Sequence, residues 1–280
     1  MASARRRPPI GEAKVHLLTI RDPVMRARHS TGARTRTSHL LGFLIPLQRA
    51  AAEVFQPQGE TSLLVANAHD WRLICSYPYG LPFTRNLPDA TVIVAAASYP
   101  ERLTRRFDDL LLAAGKEGVG TPGHIGEFLD LMVGHEWGHA MANRSGLRTY
   151  VKWLDEFMAT YLLVQALLAT GVAQSGELLA RWTELQVAAT RHVKGALDDF
   201  EYPRGRMSLS TLLWFQGVFT QRAMELAPRR GWDLALELRE ALPAAHKGEV
   251  ARALVEVEPS FRPWFAVFGD QTSARDSRLS

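Results

Sequence analysis

Three ionisable residues of one short segment have the types and the spacing that zinc-dependent hydrolysis requires. His135 and His139 lie four positions apart in the run His-Glu-Trp-Gly-His, and Glu136 follows the first of them. On a helix, side chains four positions apart project from the same face one turn apart, so the two imidazoles can bind one cation. Glu136 would lie beside that cation, where it can take a proton from a zinc-activated water. The segment therefore predicts a hydrolytic zinc site of the HExxH type.

The residues around the motif favour a metal site over an accidental pair of surface histidines. The run from Phe128 to Met141 is predominantly apolar, which predicts a buried helix. Three ionisable side chains on such a helix are costly unless they interact with a partner. A divalent cation shared by the two histidines would supply that partner.

A catalytic zinc needs a third protein ligand, and the following segment contains a candidate. Glu156 lies 17 positions after His139 in a second predicted helix, and no other charged residue follows it as far as Leu168. That separation allows a short loop and a return of the chain across the first helix. The neighbouring Asp155 is an alternative, either as a group that orients a ligand histidine or as the ligand itself.

The two segments HEWGH and WLDEFMATY resemble the HExxH and WLNEGFA pair of the aminopeptidase-N family, within the gluzincin clan that includes thermolysin. The resemblance implies a zincin-like fold and a zinc metallopeptidase, with Glu156 as the ligand glutamate and Ala159 as the small residue three positions later. Thr160 stands where thermolysin-like proteins have an aspartate that orients a zinc histidine. No counterpart of the GxMEN amine-recognition motif is present. The resemblance therefore implies a peptidase without specifying an aminopeptidase.

Peptide hydrolysis at zinc also needs a donor that stabilises the developing oxyanion. The resemblance implies a tyrosine in a Y-x-K-G setting, and Tyr202 in the run Tyr-Pro-Arg-Gly fits that description. The alternative donor is His192, on the predicted preceding helix. The run Trp-Phe-Gln-Gly at 214–217 has the expected helical context but no phenol, and Trp214 and Phe215 are typical of a core. Without a catalytic role, Tyr202 would end a helix and His192 would face solvent.

The β-branched run Thr91–Ala97 predicts a strand, for which two interpretations stay open. It is either the edge strand that binds an extended peptide by main-chain hydrogen bonds, as in gluzincins, or an ordinary interior strand. The segment before it contains Pro78, Gly80, Pro82 and Pro88, which predict a loop.

The remaining pattern predicts an α+β protein with a small N-terminal mixed sheet and a helical C-terminal part. Strand signals occur at Val15–Ile20, Thr61–Ala68 and Thr91–Ala97, whereas helical spacing is almost continuous from about His124 onward. The predicted helices span 38–55, 101–114, 124–143, 150–170, 176–199, 208–227, 232–242 and 248–256.

These elements predict one metallopeptidase-like domain over residues 35–270, with an α+β part at 35–145 and a helical part at 146–270. Residues 1–34 are expected to form a basic, irregular arm, and residues 271–280 a disordered tail.

The charge distribution argues against nucleic acid as the partner. The 280-residue chain has a net charge of +4, but residues 1–40 alone contain nine basic and two acidic residues, so the rest of the chain is slightly acidic. No aromatic or recognition-helix pattern accompanies the arginines of this arm. We therefore expect no nucleic-acid partner, and the peptidase resemblance implies a peptide or protein substrate.

The sequence also bears on the compartment and on the alternatives to a peptidase. We expect a cytoplasmic protein, because no signal peptide or transmembrane segment is seen and Cys75 is the single cysteine. One alternative is a non-catalytic gluzincin-like protein that uses zinc for structure or partner binding. Glu136 counts against it, since a structural site needs no base. Another is a protein that binds nucleic acid or an acidic partner through the arm at 1–40.

Overall fold

A computed structural model of the chain describes residues 15–116, 118, 125–149, 151–171, 173–201, 207–241 and 247–269. The predicted tail at 271–280 and the first fourteen residues of the predicted arm lie outside these ranges. Residues 15–34, the remainder of that arm, contain two short strands. Part of the segment predicted to be irregular therefore belongs to the sheet.

Five short strands form one mixed sheet. They are β1 (Leu18–Ile20), β2 (Ala27–His29), β3 (Glu60–Ala66), β4 (Phe83–Asn86) and β5 (Ala90–Ala96). Their order in the sheet is β1-β2-β3-β5-β4. The pairs β2–β3 and β3–β5 are parallel, whereas β1 and β4 are antiparallel to their neighbours. The strand predicted at Val15–Ile20 is thus present as β1 in a shorter form.

Helices dominate the chain after β5. The helices within the described residues are α1 (Arg34–Ala52), α2 (Ala68–Ile74), α3 (Glu101–Lys116), α4 (Gly126–Arg144), α5 (Lys152–Thr170), α6 (Ala173–Ala189), α7 (Leu197–Glu201), α8 (Leu209–Arg230), α9 (Asp233–Ala241), α10 (Lys247–Val257) and α11 (Phe261–Phe268). The predicted α+β class, with a small mixed sheet and a mostly helical remainder, is confirmed. None of these helices is both long enough and apolar enough to cross a membrane.

The sheet is covered on both faces. Successive side chains of a strand point to opposite sides, so each central strand contributes residues to two cores. On one face Leu63 and Ile93 join the large core that also contains the buried sides of α1, α4 and α5. On the other face Val92 and Val94 pack with Trp71 of α2 in a smaller core. The motif helix α4 therefore lies against the sheet on the side of the large core.

The run predicted as a strand at Thr91–Ala97 exists as β5, but it lies inside the sheet between β3 and β4. Its interpretation as the substrate-binding edge strand is therefore wrong. The edge strands are β1 and, beside β5, β4, which belongs to the segment predicted to be a loop. β4 has only four residues and lies between Pro82 and Pro88, so neither its length nor its surroundings indicate a strand.

A buried arginine fixes the β4–β5 turn to the end of α4. Arg144 Nε donates to Thr91 Oγ1 at 2.8 Å, and its two terminal nitrogens donate to the main-chain oxygens of Leu87 and Pro88 at 3.2 and 3.3 Å. Charge-assisted bonds in a buried setting are comparatively strong. They hold the edge strand beside the motif helix.

Candidate metal centre

The centre depends on a close approach of α4 and α5. Gly138, directly before His139, packs on the main chain of Ala159, and an added Cβ at position 138 would lie 2.1 Å from the Ala159 carbonyl oxygen. No side-chain carbon fits at that distance, so the crossing requires glycine. Glu156 and Thr160 lie on either side of Ala159 in the sequence. The close crossing therefore brings both of them next to the histidines of α4.

Three candidate ligands converge at this crossing. His135 Nε2 lies 3.1 Å from Glu156 Oε2, and His139 Nε2 lies 3.4 Å from Glu156 Oε1. One ligand atom from each residue lies within 4.8 Å of the other two. Ligand atoms about 2.1 Å from a tetrahedral zinc are themselves about 3.4 Å apart, so the observed spacings fit such an ion. The structure thus brings the predicted group together, and this group can hold a metal ion.

A threonine orients the first histidine. Thr160 Oγ1 donates to the main-chain oxygen of Glu156 at 3.0 Å and lies 3.2 Å from His135 Nδ1. Because the hydroxyl proton is used in the first bond, the oxygen can accept the proton of His135 Nδ1. The proton at Nδ1 leaves Nε2 free for a metal, and Nε2 is the atom that faces Glu156. Thr160, which occupies the position compared above with an aspartate, is thus in hydrogen-bonding contact with a candidate ligand histidine.

We expect Thr160→Val to weaken zinc binding by about tenfold to a hundredfold, the usual effect of losing a group that orients a ligand histidine. Valine keeps the shape of the side chain but cannot accept the Nδ1 proton. Thr160→Ser keeps the hydroxyl and should bind zinc nearly as well as the original protein. Competition with a chromophoric chelator measures both affinities, and an unchanged affinity of Thr160→Val would contradict the orienting role.

A glutamine of α8 contacts the third ligand. Gln216 Nε2 donates to Glu156 Oε2 at 2.8 Å, so α8 contributes to holding the carboxylate oxygen that also contacts His135. In the sequence, the run at 214–217 was considered as a place for an oxyanion-stabilising tyrosine, which it does not contain. The residue of this run that contacts the site is Gln216, through its side-chain amide. The feature that could have indicated it is a polar residue within an apolar helical run. Phe215 is fully buried and Trp214 packs against the same core, as expected for both.

Glu136 lies beside the ligands and is held by the edge strand. The hydroxyl oxygen of Thr84 lies 2.7 Å from Glu136 Oε2 and 2.8 Å from the main-chain oxygen of the same residue, so its single proton is shared between the two acceptors. Burial raises the pKa of Glu136 above its ordinary value, while the two imidazoles and the Thr84 hydroxyl act in the opposite direction. No feature of the sequence around Thr84 indicates this contact, which joins residues 52 positions apart.

The charges of the centre favour a cation. Burial alone would raise the pKa of Glu156, but its contacts with both imidazoles hold that pKa well below the usual range. Burial alone would lower the pKa of His139, but the contact and the charge of Glu156 raise it to about 9. In the metal-free protein, positive charge is therefore stabilised at the point where a metal would bind.

Asp155, the alternative ligand, forms its hydrogen bonds with Thr149 and not with the two histidines. Its Oδ1 accepts bonds from the main-chain nitrogen of Thr149 at 2.7 Å and from the Thr149 hydroxyl at 2.8 Å. These bonds close the connection between α4 and α5. Asp155 therefore supports the loop before the ligand helix, and the carboxylate that faces the histidines belongs to Glu156.

Of the two candidate oxyanion donors, only His192 lies within the described residues. Tyr202 lies outside the described residues and stays a prediction of the sequence. His192 does not lie on a helix, because α6 ends at Ala189 and His192 follows in an exposed turn. The predicted continuous helix at 176–199 is therefore interrupted after Ala189, and helical structure resumes only at Leu197 in α7. An added Cβ at Gly195 would lie 3.1 Å from the Phe215 ring, so the chain leaves the helix to pack closely on α8.

A cleft of about 510 Å³ opens over Glu136, His139 and Glu156. The edge strand β4 borders it through Thr84 and Asn86, and α7 borders it through Phe200. Two of the three candidate ligands, His139 and Glu156, and the candidate base thus line one opening.

Comparison with known proteins adds no assignment, since no protein-family model and no curated protein matches the sequence.

Proposed function

We propose that the protein is a zinc-dependent metallopeptidase of the gluzincin type. The observation that supports this most directly is the convergence of His135, His139 and Glu156, two of which line an open cleft together with Glu136. Three protein ligands with a free fourth position are typical of catalytic zinc, whereas structural zinc sites usually have four protein ligands. Among the described residues, this group contains three.

The residues around the centre have distinct tasks in this proposal. A zinc ion bound there would lower the pKa of a water molecule and polarise the carbonyl group of the scissile peptide bond. Glu136 accepts a proton from the attacking water and passes it to the leaving amine. Thr84 keeps the Glu136 carboxylate oriented, and Arg144 keeps the strand that carries Thr84 in place.

The edge strand offers main-chain groups to an extended substrate. Leu87 N donates to Ala90 O at 2.8 Å, so the alternation of antiparallel pairs directs the main-chain polar groups of Phe83 and Arg85 toward β5. Those of Thr84 and Asn86 then point outward, and within the described residues β4 pairs with no other strand. An extended peptide can add to this edge directly beside Glu136.

Metal analysis combined with a peptide-library digest tests the proposal. We expect purified protein to contain about one equivalent of zinc, and His135→Ala, His139→Ala and Glu156→Ala each to lose most of it. Removal of zinc with a chelator should abolish hydrolysis, and added zinc should restore it. Asp155→Asn is the matched control, because it borders the same cleft, can still accept the bonds from Thr149 and should keep its zinc.

Two results would count against the proposal in different ways. Failure of the protein to bind zinc after reconstitution would exclude a zinc centre. Bound zinc without hydrolysis of any peptide in the library would favour the alternative, in which the zinc serves structure or partner binding.

A further inference from the structure

A second depression continues from the metal cleft along the edge strand. It has a volume of about 750 Å³ and lies between the end of α2 and β4. Phe83, Thr84, Asn86 and Arg148 border both this groove and the metal cleft, so the two are continuous past the edge strand. We call this depression the edge groove.

The edge groove is cationic. Arg72, Arg85 and Arg148 line it, and none of the other described residues that line it carries a carboxylate. Within the described part of the chain, no carboxylate forms an ion pair with any of the three. Arg148 feels the charge of Asp155 across the metal cleft, whereas Arg72 and Arg85 lie on the side away from it. Their positive charges are therefore available to a ligand.

Apolar side chains form much of the remaining groove wall. Leu73, Tyr77 and Leu87 are exposed large side chains that line it together with the half-buried Cys75. Low-dielectric walls beside a charged group strengthen its attraction for an opposite charge. A carboxylate on a chain with apolar neighbours would thus meet complementary surfaces here.

Strand geometry explains how a substrate would reach these arginines. Phe83 and Arg85 pair with Val94 and Val92, whose side chains belong to the α2 face of the sheet, whereas Thr84 reaches Glu136 on the α4 face. A peptide added to the β4 edge continues the pleat, so its side chains alternate between the same two faces. Every second side chain of the added peptide would point to the α4 face and lie in the metal cleft. The intervening side chains would point to the α2 face, where Arg72 and Arg85 lie.

We propose that the edge groove selects peptide substrates that carry an aspartate or glutamate side chain on the face away from the metal centre. The proposal rests on the proposed peptidase function for the position of the scissile bond. It follows from the cationic lining, the continuity of groove and cleft, and the alternation along β4. Arg72 and Arg85 are then the residues that determine specificity.

The test uses acetylated and amidated peptides, so that every carboxylate is a side chain. A sequence cleaved in the library digest is varied to Glu, Gln or Lys at each position near the scissile bond. We expect Glu to exceed Gln in kcat/KM by about fivefold to tenfold at one or two alternate positions, with Lys the poorest. In the double variant Arg72→Glu/Arg85→Glu the order should invert, with Lys best. Inversion requires a higher kcat/KM for the Lys peptide than the original protein shows, and a misfolded variant cannot produce such an increase.

Arg49→Glu is the matched control, since Arg49 is an exposed arginine on α1 and borders neither depression. It makes the same kind of charge change and should keep the original order. Equal rates for Glu, Gln and Lys peptides at every position would overturn the proposal. So would a preference for Glu that the amidated peptides do not show and that appears only when the same peptides are made with a free C-terminal carboxylate.

A binding measurement separates failure of this inference from failure of the peptidase proposal. Cys75 lines the edge groove and is the single cysteine of the sequence, so an occupied groove should slow its alkylation by iodoacetamide. We expect protection by the Glu peptide, less by the Gln peptide, and none with the double variant. Protection of Cys75 without cleavage of any peptide would support the binding role of the edge groove and contradict the peptidase proposal. Cleavage without a charge preference would support the peptidase proposal and contradict the role of the groove.

Discussion

Replacement of Glu136 by glutamine is expected to reduce peptide hydrolysis by about a thousandfold while the protein keeps its zinc. General-base catalysis contributes about 10² to 10⁴ in rate, and an amide cannot take the proton of the attacking water. Glutamine has the same shape, and its Oε1 can still accept the bond from Thr84, so the edge strand and α4 should stay in place. Single-turnover hydrolysis and zinc content, measured on the same preparation, check both parts.

Glu156→Gln is the matched control, because it makes the same Glu-to-Gln substitution on α5, at a proposed metal ligand. It should lose zinc and activity together, whereas Glu136→Gln should lose activity alone. Hydrolysis by Glu136→Gln within tenfold of the original rate would exclude Glu136 as the base.

Replacement of Gly138 by alanine is expected to destabilise the protein by about 2–3 kcal/mol and to abolish tight zinc binding. In most helices this change stabilises by up to about 1 kcal/mol. Here the new Cβ would lie 2.1 Å from the Ala159 carbonyl oxygen, so α4 and α5 would have to separate. Separation moves His139 away from Glu156, since both residues lie next to the contact. Urea denaturation and zinc titration measure the two effects.

Gly42→Ala provides the control for the Gly138 prediction. Gly42 is also in a helix interior, in α1, but nothing lies within 4 Å of its added Cβ. It should leave stability unchanged or slightly increased. A Gly138→Ala protein as stable as Gly42→Ala, with intact zinc affinity, would show that the close crossing is not needed for the centre.

The convergence of the ligands could be predicted because its signals are local. The spacing of His135 and His139 places them on one helix face whatever the rest of the fold, and Glu156 stands out as a charge in an apolar run. The helical second half was predictable for the same reason, although its boundaries were not. The helix predicted at 176–199 ended at Ala189, because packing of the following chain on α8 outweighed its helical spacing.

The residues that complete the site could not be predicted, because their contacts join distant parts of the chain. Thr84 reaches Glu136 over 52 positions and Gln216 reaches Glu156 over 60. β4 has too few residues for a pattern and is a strand only because β5 pairs with it. Arg72 and Arg85 acquire their shared position in the edge groove from the same pairing.

The sequence alone determined which residues of this protein can do chemistry, because ligand type, helical spacing and apolar context are properties of short segments. The tertiary structure decided how those residues are oriented and what lies beside them. The contact of Gly138 with Ala159, the proton position on His135 and the identity of the edge strand all depend on how separate elements pack. Packing is set by the summed contacts of the whole core, and no single segment contains that information.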